Sequence, residues 1–260
     1  MIRVVVALAV LALPSPALAW GAEGHEIVAG IALRELSPGT RQQVARLLGG
    51  EAMLIHESNW ADEIREQRPE TRRWHFVDIP LDAPEYDAQR DCAQDDCVVA
   101  QIERDRRILA NRKLPATMRA EALRFLVHFV ADVHQPLHAE DNDDHGGNAV
   151  RVYLQGQRTN LHHIWDVNVV EALGFDADQV AAGIEQGASP AQRKAWQTGS
   201  PASWANEAHM IARNEVYGYV GGRRTLRMPP AYLVAEKNVT RTQLAKAGLR
   251  LAWLINAALN

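Results

Sequence analysis

The chain has 260 residues, of which 47% are hydrophobic and 23% are charged. This composition is typical of a soluble globular protein, and the length suffices for one substantial core. Lys and Arg number 28 against 32 for Asp and Glu, so the formal charge of −4 argues against a protein that coats duplex nucleic acid by a basic field alone. Two cysteines exclude a disulfide-stapled miniprotein or a Cys-rich zinc finger, whereas ten histidines are many.

The first nineteen residues have the pattern of a secretory signal peptide. A short basic start and an apolar run over residues 4–13 precede the A-x-A cleavage site Ala17-Leu18-Ala19. The run is too short to span a membrane, and no later segment approaches twenty uninterrupted apolar residues. We therefore expect residues 1–19 to be removed, residues 20–260 to form the mature domain, and the product to be secreted or periplasmic without a membrane partner.

Most of the remaining chain is predicted to be helical from its apolar periodicity and its Pro and Gly punctuation. The predicted helices cover residues 24–36, 40–48, 59–67, 97–112, 117–135, 161–173, 177–186, 201–217 and 230–258. The one convincing β element is residues 149–154 followed by Gly156, which indicates a short hairpin. No internal repeat or linker is visible, so the sequence predicts an all-α, compact multi-helix single domain with one short β-hairpin.

The two cysteines, Cys92 and Cys97, lie five residues apart in a polar stretch. In an exported protein this spacing favours a small disulfide loop. The alternative is a pair of metal thiolates, which would need further ligands at the x₂ spacing that the sequence lacks.

Two His–Asp pairs have the i,i+4 spacing that places both side chains on one helix face: His128 with Asp132, and His162 with Asp166. A proline ends the first helix and turns His138 back towards the same end. Each histidine taken alone is more often a hydrogen-bonded core residue than a ligand. His and Asp without Cys is nevertheless typical of hydrolytic zinc sites, because these donors leave coordination positions open for water.

Further His, Asp and Trp residues extend this pattern into ordered blocks. The blocks are Trp20, Gly24-His25, Trp60-Ala61-Asp62, Trp74-His75-Phe76-Val77-Asp78, His128-x₃-Asp132-x₂-Gln135-Pro136-Leu137-His138, His145-Gly146-Gly147-Asn148 and Asn160-Leu161-His162-x₂-Trp165-Asp166. With them the chain resembles the S1/P1 nucleases, here in a bacterial-type form. These are secreted zinc-dependent nucleases that are structurally related to the zinc-dependent phospholipases C. The resemblance covers essentially the whole chain from Trp20 onwards.

By position, the resemblance implies three zinc ions per chain. The first would be held by two aspartates and two histidines: Asp62, His75, His128 and Asp132. The second would be held by His138, His162 and Asp166. The third would take the amino nitrogen and carbonyl oxygen of the first mature residue, one histidine and a bridging aspartate: Trp20, His25 and Asp132.

The resemblance also implies a base pocket beside the metals. Phe76 would stack on a nucleobase, and Asp78 and Asn148 would hydrogen-bond the base. Stacking requires an unstacked base, which favours single strands. Asp62 would orient the attacking water, and Arg65 would stabilise charge on the scissile phosphate. The alternative for Arg65 is a solvated helix charge.

The implied activity is a secreted zinc-dependent endonuclease that hydrolyses single-stranded DNA and RNA to 5′-phosphate products and also acts on 3′-nucleotides. A monomer without an obligate protein partner is expected. One alternative is a zinc-dependent phospholipase C, although its last acidic ligand is typically Glu where Asp166 stands, and it lacks the block of Phe76 and Asp78. A second alternative is a periplasmic zinc-binding protein, which would need the ligands but no base pocket.

Overall fold

The computed structural model describes residues 20–260, so the predicted signal peptide lies outside the described residues. The α-helices in chain order are α1 (Ala22–Glu35), α2 (Pro38–Leu48), α3 (Met53–His56), α4 (Trp60–Glu63), α5 (Ala88–Asp91), α6 (Val98–Ala110), α7 (Ala116–Asp132), α8 (Leu161–His163), α9 (Val169–Glu171), α10 (Ala177–Gly187), α11 (Pro190–Trp196), α12 (Pro201–Ile211), α13 (Tyr217–Val220) and α14 (Pro230–Leu259). Short 3₁₀ segments cover Pro69–His75, Ala93–Asp95 and Pro136–His138, and π-helical turns cover Ile164–Asn168 and Ala212–Val216. The prediction of a mostly helical domain is confirmed.

Local signals explain where the regular helices begin and end. The Ser37 hydroxyl accepts a hydrogen bond from the backbone N–H of Thr40 and caps α2, whose first residue is a proline. The same helix ends at Gly49, which has a φ of +86°. A Ser189–Gln192 capping box starts α11, a helix that the sequence analysis missed although its start signal is complete.

The core lies where the long C-terminal helix α14 packs against α1, α6 and α7, and where α6 packs against α7. The backbones of α1 and α14 approach so closely that a Cβ at Gly248 would lie 2.5 Å from the Cβ of Ile31. Trp20, Trp165 and Trp204 are fully buried in this core. Because Trp20 and Trp165 are buried here, the first described residue and the segment after α8 are held against the end of α7.

A three-stranded sheet, rather than a hairpin alone, lies beside the helices. Strands β1 (Arg151–Leu154) and β2 (Gln157–Asn160) form the predicted antiparallel hairpin, and β3 (Thr225–Met228) pairs parallel to β1. The prediction of a single β element was therefore incomplete. The strand β3 has only four residues, and its partner lies far away along the chain, so no local hairpin signal marks it.

Three predicted helices are interrupted in the structure. The predicted helix 59–67 is α-helical only over Trp60–Glu63 and is followed by the 3₁₀ segment Pro69–His75. The predicted helices 161–173 and 201–217 each contain a π-helical turn, a wider winding that apolar periodicity does not reveal.

Two further expectations concern covalent and membrane features. Cys92 and Cys97 form a disulfide bond, as predicted. Over residues 20–260, none of the helices combines the length and the apolar character needed to cross a bilayer.

Candidate metal centre and adjoining pocket

Eight His and Asp side chains converge at the end of α7 from segments that are distant in the sequence. They form three groups in which the candidate ligand atoms lie within 4.8 Å of one another: His25 with His128 and Asp132, Asp62 with His75 and His128, and His138 with His162 and Asp166. Apart from Asp62, which is nearly so, all of them are buried. The structure thus brings together every side chain that the sequence analysis named as a zinc ligand.

Asp132 lies at the centre of the first two groups. Its Oδ1 is 3.2 Å from Nε2 of His25, and its Oδ2 is 3.1 Å from Nδ1 of His75 and 3.3 Å from Nε2 of His128. The residue ends α7 and is completely buried. A carboxylate in this position can bridge two cations, since each of its oxygens faces a different set of nitrogens.

Asp62 closes the same cluster from α4. Its Oδ1 lies 3.6 Å from Nδ1 of His75, and its Oδ2 lies 3.7 Å from Nε2 of His128. Arg65, one turn later, donates from Nη1 to Oδ1 of Asp62 over 3.2 Å. Arg65 therefore places a guanidinium at the edge of the cluster rather than in open solvent.

The remaining group is formed by the segment after α7 and by α8 with the following π turn. Nε2 of His138 is 3.2 Å from Nε2 of His162, which is 3.1 Å from Oδ2 of Asp166. Gln135 donates from Nε2 to Oδ1 of Asp166 over 2.6 Å and so fixes the orientation of this carboxylate. The i,i+4 relation of His162 and Asp166 survives the π turn.

The hydrogen bonds of these histidines show which nitrogens carry lone pairs. The Nδ1 atoms of His128, His138 and His162 each donate to a backbone carbonyl: those of Ser58, His75 and Gly146. In the neutral ring the opposite nitrogen, Nε2, then carries no proton. The Nε2 atoms of His138 and His162 consequently point lone pairs at each other, and Nε2 of His128 faces carboxylates without a hydrogen-bond partner.

These lone pairs and carboxylates repel one another when no cation is bound, and a cation between them would attract them all. Histidine nitrogens and carboxylate oxygens are the donors that Zn²⁺ accepts in catalytic sites, where the other ring nitrogen is commonly fixed by a backbone carbonyl. The residues present therefore fit zinc.

Burial shifts the pKa values of the cluster in the direction that suits a metal site. Desolvation lowers the pKa of His128 and of His138 well below the usual value and that of His162 to about 4, so the rings remain neutral. Desolvation also raises the pKa of Asp132 to about 7 and that of Asp166 well above its usual value. The contact with His75 and the charge of Arg65 oppose this rise only in part for Asp132, and a hydrogen bond from Gln135 opposes it for Asp166.

The first described residue is held against the cluster by several contacts. The Trp20 indole Nε1 donates to the carbonyl of Ala131 over 3.0 Å, and the Gly21 N–H donates to the carbonyl of Asp166 over 2.8 Å. The carbonyl oxygen of Trp20 lies 2.5 Å from Nδ1 of His25. Gly24 is needed for this packing, since a Cβ there would lie 2.7 Å from the Cβ of Trp20.

A pocket of about 250 Å³ opens beside the cluster. Its walls carry the residues predicted to bind the base and stabilise the phosphate, together with three of the candidate ligands: Phe76, Asp78, Asn148, Arg65, His75, His138 and His162. Gly146, with a φ of +61°, forms part of the wall, and a Cβ there would lie 2.6 Å from the carbonyl oxygen of Leu137.

Arg73, which no sequence motif indicated, contacts two of the side chains predicted to bind the base. Its guanidinium lies 5.6 Å from the ring centroid of Phe76, and its Nη2 donates to Oδ2 of Asp78 over 3.2 Å. Burial raises the pKa of the Asp78 carboxyl, and the nearby Arg73 opposes that rise. Its position three residues before Phe76 was the only available signal.

The other histidines have structural or peripheral positions. His134 is buried and donates from Nδ1 to the carbonyl of Val130, while its Nε2 accepts from Arg250. His145 lines the pocket, and His163 is exposed, so it does not join the buried cluster.

The fold and the site together define a class of protein: a helical domain that gathers buried His and Asp side chains into a multi-ligand centre beside an open pocket. The model of the S1/P1 nuclease family matches residues 20–260, and the chain belongs to this family of nucleases. The resemblance inferred from the sequence blocks is confirmed, and the chain is a hydrolase of the phosphodiesterase class.

Individual relatives agree with this assignment. Nuclease S1 of Aspergillus oryzae is 31% identical over 275 residues, which cover 95% of this chain and 94% of that protein. Nuclease P1 of Penicillium citrinum is 32% identical over 264 residues, which cover 91% of this chain and 97% of that protein. Endonuclease 2 of Arabidopsis thaliana is 30% identical over 264 residues, with coverage of 91% and 89%.

Proposed function

We propose that the chain is a secreted, zinc-dependent endonuclease that cleaves single-stranded DNA and RNA at the 3′-O–P bond, leaves 5′-phosphates, and has 3′-nucleotidase activity. The observation that carries the proposal is that Phe76 lines the same pocket as His138 and His162, whose unprotonated Nε2 atoms face each other. A phospholipase C or a zinc-binding protein has no use for a stacking ring and a base-edge carboxylate at this position.

The pocket side chains divide into binding and charge-stabilising groups. Phe76 stacks on a base, while Asp78 and Asn148 accept or donate hydrogen bonds at the base edge. The Arg65 guanidinium neutralises negative charge that develops on the scissile phosphate. The Asp62 carboxylate, which Arg65 orients, accepts a hydrogen bond from the attacking water.

The cluster holds three zinc ions in this proposal. Asp62, His75, His128 and Asp132 hold one, His138, His162 and Asp166 hold the second, and the amino and carbonyl groups of Trp20 with His25 and Asp132 hold the third. Zinc bound there supplies Lewis-acid stabilisation of phosphoryl and leaving oxygens and lowers the pKa of water. No protein side chain then needs to protonate the departing 3′-oxygen.

The reaction is tested by digesting a single-stranded oligonucleotide and determining the product ends by mass spectrometry. We expect 5′-phosphate ends, nearly complete loss of activity in Asp62→Ala, and none in the presence of EDTA. Phe76→Ala is the matched control for the pocket: it should weaken substrate affinity by about 1–3 kcal/mol and keep the full zinc content. Products with 3′-phosphates would contradict the proposal.

The role of the Trp20 amino group is tested by retaining Ala19. With Ala19 attached, the nitrogen of Trp20 is an amide whose lone pair is delocalised into the peptide bond, so it is a poor donor. The mature chain instead has an α-amine with a pKa of about 8, from which zinc can displace the proton. We expect the extended form to contain one zinc fewer and to be slower, and equal zinc and equal rates in both forms would disprove this role.

A further inference from the structure

One face of the sheet is covered by arginines and a tyrosine that point away from the core. Val152, Leu226 and Met228 are buried, so the alternate positions of the same strands lie on the opposite side. Those positions include Arg151, Tyr153, Arg158 and Arg227, which we call the outer sheet face. Its three arginines are exposed, and Tyr153 is half-buried.

The register of the sheet places three of these side chains in a row across the strands, and Arg151 lies next to that row on β1. On either side of Tyr153 the paired residues are Arg158 of β2 and Arg227 of β3. Neighbouring strands are about 4.8 Å apart, and Arg151 lies two residues before Tyr153, about 6.7 Å along β1. The guanidinium of Arg227 lies 5.7 Å from the ring centroid of Tyr153.

The arginines of the outer sheet face differ from most others in the described chain because they have no acidic partner there. Arginines elsewhere pair with carboxylates, as Arg34, Arg124 and Arg250 do. Among the ion pairs and hydrogen bonds of residues 20–260, none involves the side chain of Arg151, Arg158 or Arg227. A chain with a formal charge of −4 thus exposes three uncompensated positive charges on one small face.

The chemistry of this face fits a single-stranded polynucleotide. Arginines bind phosphates through planar, multiply donating guanidinium groups. Bases of single strands stack on aromatic rings or on the planes of Arg side chains, and the Tyr153–Arg227 pair offers both surfaces. Stacking needs no particular base, so the face is suited to tracking a strand irrespective of its sequence.

The position of the face relative to the pocket also fits this partner. Strand β1 begins three residues after the pocket residue Asn148, and β2 ends two residues before His162. Asn160, the last residue of β2, caps the helix that carries His162 by accepting from the backbone N–H of His163. The hairpin is therefore joined directly to the segments that carry the pocket and the candidate metal centre.

A groove that adjoins the pocket has the opposite charge. This groove shares Asp78 and Asp141 with the pocket and is further lined by Asp82 and Asp143, with Arg213 as its one basic lining residue in the described chain. Phosphates of a bound strand are repelled from this groove and attracted by the sheet.

We propose that the outer sheet face is an accessory binding surface for the part of a single-stranded substrate that lies outside the pocket. This inference rests on the proposed nuclease function and extends it: the face raises affinity for long strands over single nucleotides, whereas the pocket alone decides how a 3′-nucleotide is hydrolysed.

The test compares two triple variants with the same change in charge. The first is Arg151→Ser, Arg158→Ser and Arg227→Ser. The control changes three exposed basic residues that make no ion pair in the described chain and line neither the pocket nor the acidic groove: Arg46→Ser, Lys194→Ser and Arg241→Ser. Binding of a fluorescent 20-nucleotide phosphorothioate strand is followed by anisotropy over a range of salt concentrations, and hydrolysis of a 3′-mononucleotide is measured in parallel.

We expect the sheet variant to bind the strand at least tenfold more weakly at low salt. The slope of log K against log salt should fall by about 2, since each lost phosphate contact on a single strand contributes about 0.7. The control triple should change affinity less than threefold, and 3′-mononucleotide hydrolysis should stay within twofold in both. Tyr153→Thr alone should weaken strand binding severalfold without altering the salt slope.

Equal losses in the two triple variants would overturn the inference, as would an unchanged salt slope. Binding of the wild-type face to phosphatidylglycerol vesicles but not to the oligonucleotide would also overturn it in favour of a membrane role. If no form of the protein hydrolyses a 3′-nucleotide, the proposed function fails, while the anisotropy comparison still decides whether the face binds nucleic acid.

Discussion

Two clusters of polar side chains adjoin the end of α7, one around His134 and one around Asp132, and their charges are compensated in different ways. In the first, Arg250 donates to both carboxylate oxygens of Glu207 over 2.8 and 2.9 Å and to Nε2 of His134 over 2.8 Å. In the second, around Asp132, lone pairs of His128 and neighbouring rings face carboxylates or each other.

The carboxyl groups of the two clusters show the difference in charge. Burial raises the pKa of Glu207, but hydrogen bonds and charge from Arg250 and Lys246 outweigh it and bring the pKa to about 2. Burial raises the pKa of Asp132 to about 7, because the contact with His75 and the charge of Arg65 oppose it only in part. One cluster is complete within the chain, whereas the other is complete only with a bound cation.

The largest effect is expected from breaking the metal-dependent cluster. His128→Ala should lower the zinc content, reduce nuclease activity by at least a thousandfold and lower the melting temperature, because ligands on separate helices couple metal binding to folding. Zinc is counted by mass spectrometry and stability by thermal unfolding. In EDTA the wild type and the variant should differ much less in stability, and an unchanged gap would show that His128 acts only by packing.

A smaller effect is expected from breaking the cluster of Arg250, Glu207 and His134. Arg250→Met removes hydrogen bonds to Glu207 and leaves Nε2 of His134 buried without a partner, so the free energy of unfolding should fall by about 3 kcal/mol. Urea unfolding measures this loss. Zinc content should remain unchanged, and the loss should be the same with and without EDTA, in contrast to His128→Ala.

Asp105 on α6 sharpens the comparison because its compensation is weak. Nη1 of Arg104 lies 3.9 Å from its Oδ1, and the charges of Arg104 and Arg68 oppose the effect of burial only in part. The Oδ2 atom of Asp105 is buried without a hydrogen-bond partner, and burial raises the pKa of its carboxyl to about 7. An unfolded Asp has a pKa of about 3.9, so between about pH 4 and pH 7 the folded state holds a proton that the unfolded state has lost. Stability therefore falls as the pH rises through this window.

Asp105→Asn should remove this loss, because the amide does not ionise. We expect the variant to be more stable than the wild type by about 2 kcal/mol at pH 8 and equal to it near pH 4. Urea unfolding at both pH values, with the zinc concentration held constant, measures the difference. A variant that is less stable at pH 8 would mean that the attraction between Arg104 and the Asp105 carboxylate outweighs the cost of burying its charge.

Patterns within a single segment of sequence predicted the features that form within that segment. The helix α7 and the i,i+4 pairs His128–Asp132 and His162–Asp166 follow from apolar and ligand spacing within one segment. The convergence of all eight candidate ligand side chains followed instead from the resemblance to a family, since spacing alone does not bring α1, α4 and α8 together.

The features that were missed depend on contacts between distant segments. The pairing of β3 with β1 joins four-residue strands far apart in the sequence, and a local window holds no information about it. The contacts of Arg73 with Phe76 and Asp78 depend on how the chain turns after the 3₁₀ segment Pro69–His75. Both features belong to the surface around the pocket, where chain topology rather than periodicity decides which groups meet.

The cluster around Asp132 also has a consequence for the polymer physics of folding. The disulfide between Cys92 and Cys97 closes a loop with a sequence separation of 5, whereas the contact between His25 and Asp132 spans a separation of 107. In the chain-entropy description, a cross-link over about 100 residues stabilises by about 4.7 kcal/mol, and over about 15 residues by about 3 kcal/mol. These values apply only to a cross-link that persists in the unfolded chain, as the disulfide does. A cation held by both His25 and Asp132 would be released on unfolding, so it would join these distant segments in the folded state alone and stabilise that state by binding to it.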